Sequence, residues 1–111
     1  MERVQENEDY LRLIAKTTLK RGRRLITEAT AAQLDSICEV ILNVIKGTLS
    51  VPNTLIQKAK KYQKSIRQLA SRYLGPRVRK RLMLRYLPII KKILAVAVPL
   101  CTILASVTQL T

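Results

Sequence analysis

Residues 30–47, TAAQLDSICEVILNVIKG, decide the fold because they carry a full set of helix signals. Thr30 followed by Gln33 predicts a capping box, in which each side chain accepts from a backbone N–H at the start of the helix. The apolar side chains then recur at intervals of three and four, which places them on one face: Leu34, Ile37, Cys38, Ile41, Leu42 and Ile45. Gly47 tolerates the left-handed conformation that ends a helix. The stretch therefore predicts an amphipathic helix over 30–46.

The flanking sequence predicts further helices on both sides of this one. On the N-terminal side we predict short helices over 8–17 and 19–27, the second weakened by Gly22, since Gly costs about 1 kcal/mol relative to Ala in a helix. On the C-terminal side we predict a helix over 54–73 that opens with a second capping box at 54–57. Gly and Pro are scarce and fall between periodic segments. We predict an all-α protein, a small helical bundle with a basic and then apolar C-terminal helical extension.

Composition divides the chain into four segments. Gly75-Pro76 breaks the helical pattern, Pro88 interrupts it again, and Pro99 is expected to kink or break a helix. The predicted segments are a disordered acidic N-terminus (1–7), a small helical domain (8–74), a basic segment (75–92) and an apolar C-terminal helix (93–111).

The charge of the chain is strongly asymmetric. Its 111 residues include 21 Lys and Arg but 7 Asp and Glu, giving a formal net charge of +14. All seven acids lie at or before Glu39, whereas residues 40–111 contain fourteen bases and no acid. An acid-free basic region of this size predicts a polyanionic partner such as nucleic acid or an anionic membrane surface.

The residue inventory argues against catalysis. The chain has no His, no Gly-rich phosphate loop and no nucleophile next to a base. Asp35 and Glu39 share a helix face, which we interpret as a solvated face. Cys38 and Cys101 lie too far apart in sequence for a zinc motif, and we interpret Cys38 as a buried apolar residue. We expect no enzymatic activity, no metal and no cofactor.

The basic region predicts sequence-independent binding to the phosphates of DNA. The helix over 54–73 places its apolar and cationic side chains on opposite faces, and 77–81 is the densest basic cluster. Because such a row of cations can neutralise phosphates and release counterions, we predict contacts from Lys58, Lys60, Lys61, Lys64, Arg67, Arg72, Arg77, Arg79, Lys80 and Arg81. We expect Met83 and Tyr86 to pack in the interior rather than bind a ligand.

Two alternatives depend on the apolar C-terminus and on self-association. Residues 93–111 carry no charge and follow Lys91 and Lys92; as a helix they would span about 28 Å, close to the roughly 30 Å of a bilayer core. They could form a helix buried in the protein, a membrane-active helix or a tail anchor. A membrane function would use Ile93, Leu94, Val96, Val98, Leu100, Ile103 and Leu104. The amphipathic helices could instead bind other copies of the chain or a capsid protein.

The central block resembles a viral family. Residues 37–47, ICEVILNVIKG, followed by a Pro-containing connector and the Lys-rich stretch 57–70, look like small basic proteins of Maverick/Polinton elements and adintoviruses. The resemblance implies a virion-associated late protein, similar in character to the small basic core proteins that accompany packaged DNA in adenoviruses. It also implies location in the virion. The basic runs 20–24 and 77–81 resemble short nuclear-import signals, which predicts location in the host nucleus. The family's Gly-Gly pair before the apolar end is missing here, where 85–88 read RYLP.

Overall fold

A computed structural model describes residues 2–47, 49–64, 68 and 75–110, with side chains described up to Cys101 and at Ile103. Within these residues the secondary structure is helical, and no strand is present. The helices are α1 (Glu2–Glu6), α2 (Glu8–Lys16), α3 (Leu19–Thr27), α4 (Ala31–Ile45), α5 (Asn53–Lys61), α6 (Pro76–Arg85) and α7 (Leu87–Leu110). The prediction of a small all-α bundle is confirmed.

Helix α4 begins and ends as its sequence predicts. The Thr30 hydroxyl accepts from the Gln33 N–H at 3.2 Å, and the Gln33 side chain accepts from the Thr30 N–H at 2.9 Å, which completes the capping box. At the other end, Gly47 has a φ of +79°, in the left-handed region that Gly adopts without a Cβ clash. The apolar stripe of α4 faces the core. Its buried members are Leu34, Ile37, Cys38 and Ile41, and Leu42 and Ile45 pack half-buried against them.

Helix α5 departs from the prediction at both ends. It begins at Asn53, one residue early, and has no side-chain cap. Thr54 therefore lies inside the helix, where its hydroxyl cannot serve as the N-cap. The helix ends at Lys61, and Tyr62 leaves the helical conformation with φ −105° and ψ 14°. The uninterrupted helix predicted over 54–73 is therefore wrong at Tyr62, and 65–67 and 69–74 lie outside the described residues.

Helix α7 is part of the bundle core. It packs most extensively on α2 and also contacts α1, α3, α4 and α5. Its buried side chains follow the helical period: Leu87, Ile90, Ile93, Leu94, Ala97, Val98 and Cys101. Burial of each large aliphatic side chain contributes about 1.5–3 kcal/mol relative to exposure. Of the three interpretations of the apolar C-terminus, the described part of α7 is the buried helix, and it crosses the predicted segment boundary at 92/93 without a break.

Pro99 does not end α7, contrary to the expectation of a break. A proline inside a helix removes one hydrogen bond to the carbonyl four residues earlier, here that of Ala95. Both Pro99 and Ala95 are exposed. The released carbonyl therefore lies on the side of the helix that water can reach.

The N-terminus is ordered into the bundle. Residues 2–6 form α1 in place of the disordered segment predicted for 1–7. The reason is Val4, which is 2% exposed and belongs to the same core as α4 and α7. In the sequence, one valine among the acidic and polar residues of 1–7 does not indicate a helix that packs on the core.

Candidate nucleic-acid interface

A cationic groove lies between α5 and the junction of α6 with α7. It has a volume of 340 Å³, within the range of about 300–1,000 Å³ typical of small-ligand sites. Its walls are Lys58, Lys61, Tyr62, Arg85, Tyr86, Pro88, Ile89 and Lys92, and we call it the tyrosine groove. Four of the eight residues are cations and none is acidic. All eight come from the acid-free region after Glu39.

Two of the lining residues, Tyr62 and Tyr86, contact each other. The ring centroids of Tyr62 and Tyr86 are 4.7 Å apart and the planes are inclined by 43°. Each tyrosine terminates its helix, Tyr62 after α5 and Tyr86 after α6, in nearly the same backbone conformation. The preceding residue places a cation near each ring: Lys61 Nζ and Arg85 Cζ lie 5.8 Å from the centroids, within cation–π range.

Helix α6 carries a row of exposed cations that ends at the groove. Arg77, Arg81 and Arg85 are spaced by four residues and are all exposed. This spacing stacks them along one helix face at steps of about 6 Å. We call these three residues the arginine row. The opposite face carries Met83, which is fully buried, as predicted.

Arg79 lies on the buried face of α6 and is removed from the predicted phosphate contacts. Its Nη2 is 2.5 Å from Asp35 Oδ1 and 3.9 Å from Cys38 Sγ, and its side chain is 13% exposed. Burial lowers the pKa of Arg79, but the hydrogen bonds to Asp35 and Cys38 outweigh this effect and raise it overall. The guanidinium is therefore a charged group held inside the protein, and Asp35 is its partner rather than part of a purely solvated face.

Two lysines are also engaged within the fold. Lys80 Nζ donates to the Thr27 carbonyl at 2.8 Å, at the C-terminus of α3. Lys91 Nζ donates to the carbonyls of Ile14, at 3.0 Å, and Thr17, at the C-terminus of α2. Cations at helix C-termini satisfy free carbonyls and oppose the negative end of the helix dipole. Lys80, predicted to contact phosphate, thus uses one of its donors to cap α3.

The other residues predicted to contact phosphate are either exposed or outside the described part of the chain. Lys58, Lys60, Lys61, Lys64, Arg77 and Arg81 are exposed, while Arg67 and Arg72 lie outside the described residues.

Of the residues assigned to a membrane function, Ile93, Leu94 and Val98 are buried, Leu100 is half-buried, and Val96 and Ile103 are exposed. The side chain of Leu104 is not among those described. In the described part of the chain, no helix combines the length and apolarity needed to cross a membrane.

A separate cationic surface lies on α3. Lys20, Arg21 and Arg24 are exposed around a concavity of 600 Å³ that Thr18 and Leu25 complete. Thr18 caps this helix by accepting from the Arg21 N–H at 3.2 Å. We call Lys20, Arg21 and Arg24 the α3 patch. It carries three cations, one fewer than the tyrosine groove, and contains no aromatic residue.

Sequence reasoning missed four residues of the tyrosine groove as ligand-binding candidates: Tyr62, Arg85, Tyr86 and Lys92. One signal was present in the sequence. Each tyrosine directly follows a cation, in Lys61-Tyr62 and in Arg85-Tyr86. Helical periodicity in 76–85 would also have separated Arg79, four residues before Met83, from the arginine row.

The described residues contain no cluster of three or more Cys, Asp or Glu side chains that could hold a metal ion. Cys38 and Cys101 are both buried free thiols.

Comparisons of the chain with protein-family models, with curated proteins and with solved structures found no match.

Proposed function

We propose that this protein is a non-enzymatic DNA-binding protein that contacts phosphates without reading sequence. The observation that carries the proposal is the tyrosine groove, in which four cations converge with no acidic residue among the lining side chains. Cations that pair with phosphates release condensed counterions, which supplies most of the free energy of sequence-independent binding. The arginine row extends this surface along α6.

The charges available for binding are those that the fold does not use. Arg79, Lys80 and Lys91 are engaged by Asp35 or by backbone carbonyls. Lys58, Lys61, Arg85 and Lys92 line the groove. Lys60, Lys64, Arg77 and Arg81 are exposed and remain proposed contacts outside it. In the setting that the viral resemblance implies, this binding would condense packaged DNA in a virion.

A membrane function receives less support from the geometry. It would need the apolar side chains of α7 to meet lipid, yet Ile93, Leu94 and Val98 already contact the bundle core. To meet lipid they would have to leave that core and lose their packing contacts with the other helices. We therefore favour the phosphate-binding function.

The test compares two variants that lose the same charge from different surfaces. The groove variant is Lys58→Gln/Arg85→Gln/Lys92→Gln, and the control is Lys20→Gln/Arg21→Gln/Arg24→Gln in the α3 patch. All six side chains are exposed, so both variants should fold, which circular dichroism checks. Binding to labelled duplex DNA is measured by fluorescence anisotropy over a range of salt concentrations.

We expect the groove variant to bind more weakly and to flatten the plot of log affinity against log salt by about 0.9 for each lost contact. The α3 variant should change the slope by less than one contact. Equal effects of the two variants would show that net charge alone drives binding, and the groove would then not be the site. Absence of salt-dependent binding by the unmodified protein would overturn the proposed function itself.

A further inference from the structure

The paired tyrosines separate the tyrosine groove from an ordinary cationic surface. Tyr62 and Tyr86 come from the ends of two different helices, 24 residues apart in sequence, and their rings meet at 4.7 Å. Both residues are half-buried, so each is partly held by the protein and partly accessible. The α3 patch has a comparable charge but no aromatic ring. The groove therefore offers an apolar π surface framed by cations.

Aromatic rings flanked by cations are suited to binding a nucleic-acid base together with its phosphates. The flat π face of an aromatic side chain stacks on a nucleic-acid base, and cations on either side can hold the flanking phosphates. Lys61 and Arg85 lie next to the two rings, and Lys58 and Lys92 complete the lining. A base in a duplex already stacks on its neighbours and is inside the helix. An unpaired base is free to enter a groove.

We propose that the tyrosine groove binds single-stranded nucleic acid, with an unpaired base stacked on the Tyr62–Tyr86 pair and the adjacent phosphates on the four lining cations. This inference rests on the proposed phosphate-binding function and adds to it a preference for unpaired strands. The groove volume of 340 Å³ lies at the lower end of the range for small-ligand sites.

The experiment compares three labelled probes of equal length: an oligothymidylate, the same backbone without bases, and a duplex. Fluorescence anisotropy is recorded at low and at raised salt, because salt weakens phosphate contacts but acts much less on stacking. We expect the unmodified protein to keep its affinity for oligothymidylate at raised salt better than for the abasic strand or the duplex.

Variants then test the rings directly. Tyr86→Leu removes the π face and should weaken oligothymidylate binding by about 5- to 150-fold, the range that base–aromatic stacking supplies. Binding to the abasic strand should weaken much less, because that strand has no base to stack on the ring. Tyr86→Phe keeps the ring and should bind as the unmodified protein does. Tyr10→Phe, on α2, is the control for a tyrosine outside the groove.

A second measurement needs no variant and remains valid if Tyr86→Leu fails to fold. The chain contains four Tyr and no Trp, so its intrinsic emission comes from tyrosine. Stacking should make oligothymidylate quench this emission more than the abasic strand does at equal saturation. If all three probes bind alike and quench alike, the single-strand inference is overturned while phosphate binding stands. If none binds in a salt-dependent manner, the proposed function falls as well.

Discussion

Arg79 on α6 and Asp35 on α4 form an ion pair at 2.5 Å across 44 residues of sequence. The pair connects the basic C-terminal region to the only acidic part of the chain. Arg3 also approaches Asp35, at 3.8 Å, but its side chain is 62% exposed. Asp35 thus holds one cation of the basic region within the fold and leaves the arginine row facing outward.

We predict that Arg79→Met lowers the free energy of unfolding by about 1–3 kcal/mol, because it leaves the half-buried Asp35 with only the exposed and more distant Arg3 beside it. Chemical denaturation measures the change. Arg81→Met is the matched control, since Arg81 lies two residues away and is exposed. It should stay within about 0.5 kcal/mol of the unmodified protein. An equal loss in both variants would show that the Arg79–Asp35 pair adds no stability of its own.

The same pair carries a desolvation cost that a double variant can reveal. Among the described residues, Arg79 Nε is buried without a hydrogen-bond partner. Replacing both members of a buried pair with apolar residues is often close to neutral, whereas removing one member is costly. Arg79→Met/Asp35→Leu should therefore be more stable than Arg79→Met alone. A double variant less stable than Arg79→Met would contradict this account.

Lys91 and Lys92 are adjacent, but Lys91 should contribute to stability and Lys92 to DNA binding. Lys91→Met removes the donor to the Ile14 and Thr17 carbonyls, and we expect a loss of about 1–2 kcal/mol of stability with little change in DNA affinity. Lys92→Met removes an exposed groove cation and should weaken DNA binding while leaving stability within about 0.5 kcal/mol. Thermal melts and anisotropy on both variants check this. Loss of DNA affinity in Lys91→Met without loss of stability would refute the assignment.

Local signals made much of the fold predictable. The helices over 8–17, 19–27 and 30–46 follow from periodicity and from side chains next in sequence, as at Thr30 and Gln33. Such interactions span three or four residues, and the sequence displays them directly. The placement of α7 at the centre of the bundle depends instead on contacts with α2, about eighty residues away. No local pattern separates a buried apolar helix from one that meets lipid.

The candidate site was predictable only in its charge. An acid-free region of fourteen bases indicated a polyanion-binding surface, but it could not show which bases the fold uses. Arg79 and Lys80 pair with groups on α4 and at the end of α3, and these contacts exist only after folding. The Tyr62–Tyr86 contact likewise depends on two helix ends that come together in space.

Tyr10 should make stability fall at high pH. Its hydroxyl donates to the Leu25 carbonyl at 3.1 Å, and burial raises the pKa of Tyr10 from 10.0 to about 12. Because the folded state holds the proton more tightly, this contribution is complete below about pH 10 and is lost as the pH rises through about 12. Tyr10→Phe lacks the ionising group, so its stability relative to the unmodified protein should improve over this interval. The midpoints of urea unfolding at several pH values test this, and a constant difference would contradict it.

The sequence predicts capping boxes at Thr30 and at Thr54, but replacing these two threonines by Ala should change the free energy of unfolding by different amounts. The Thr30 side chain accepts from the Gln33 N–H, so Thr30→Ala should lower the free energy of unfolding by about 1 kcal/mol. Thr54 has the same spacing to Gln57 but lies within α5, which has no side-chain cap. Both threonines are exposed, and Thr54→Ala should therefore be neutral or slightly stabilising, since Ala has the higher helix propensity. Chemical denaturation of the two variants under identical conditions measures the difference. A loss of about 1 kcal/mol in Thr54→Ala would mean that α5 begins at the sequence-predicted cap.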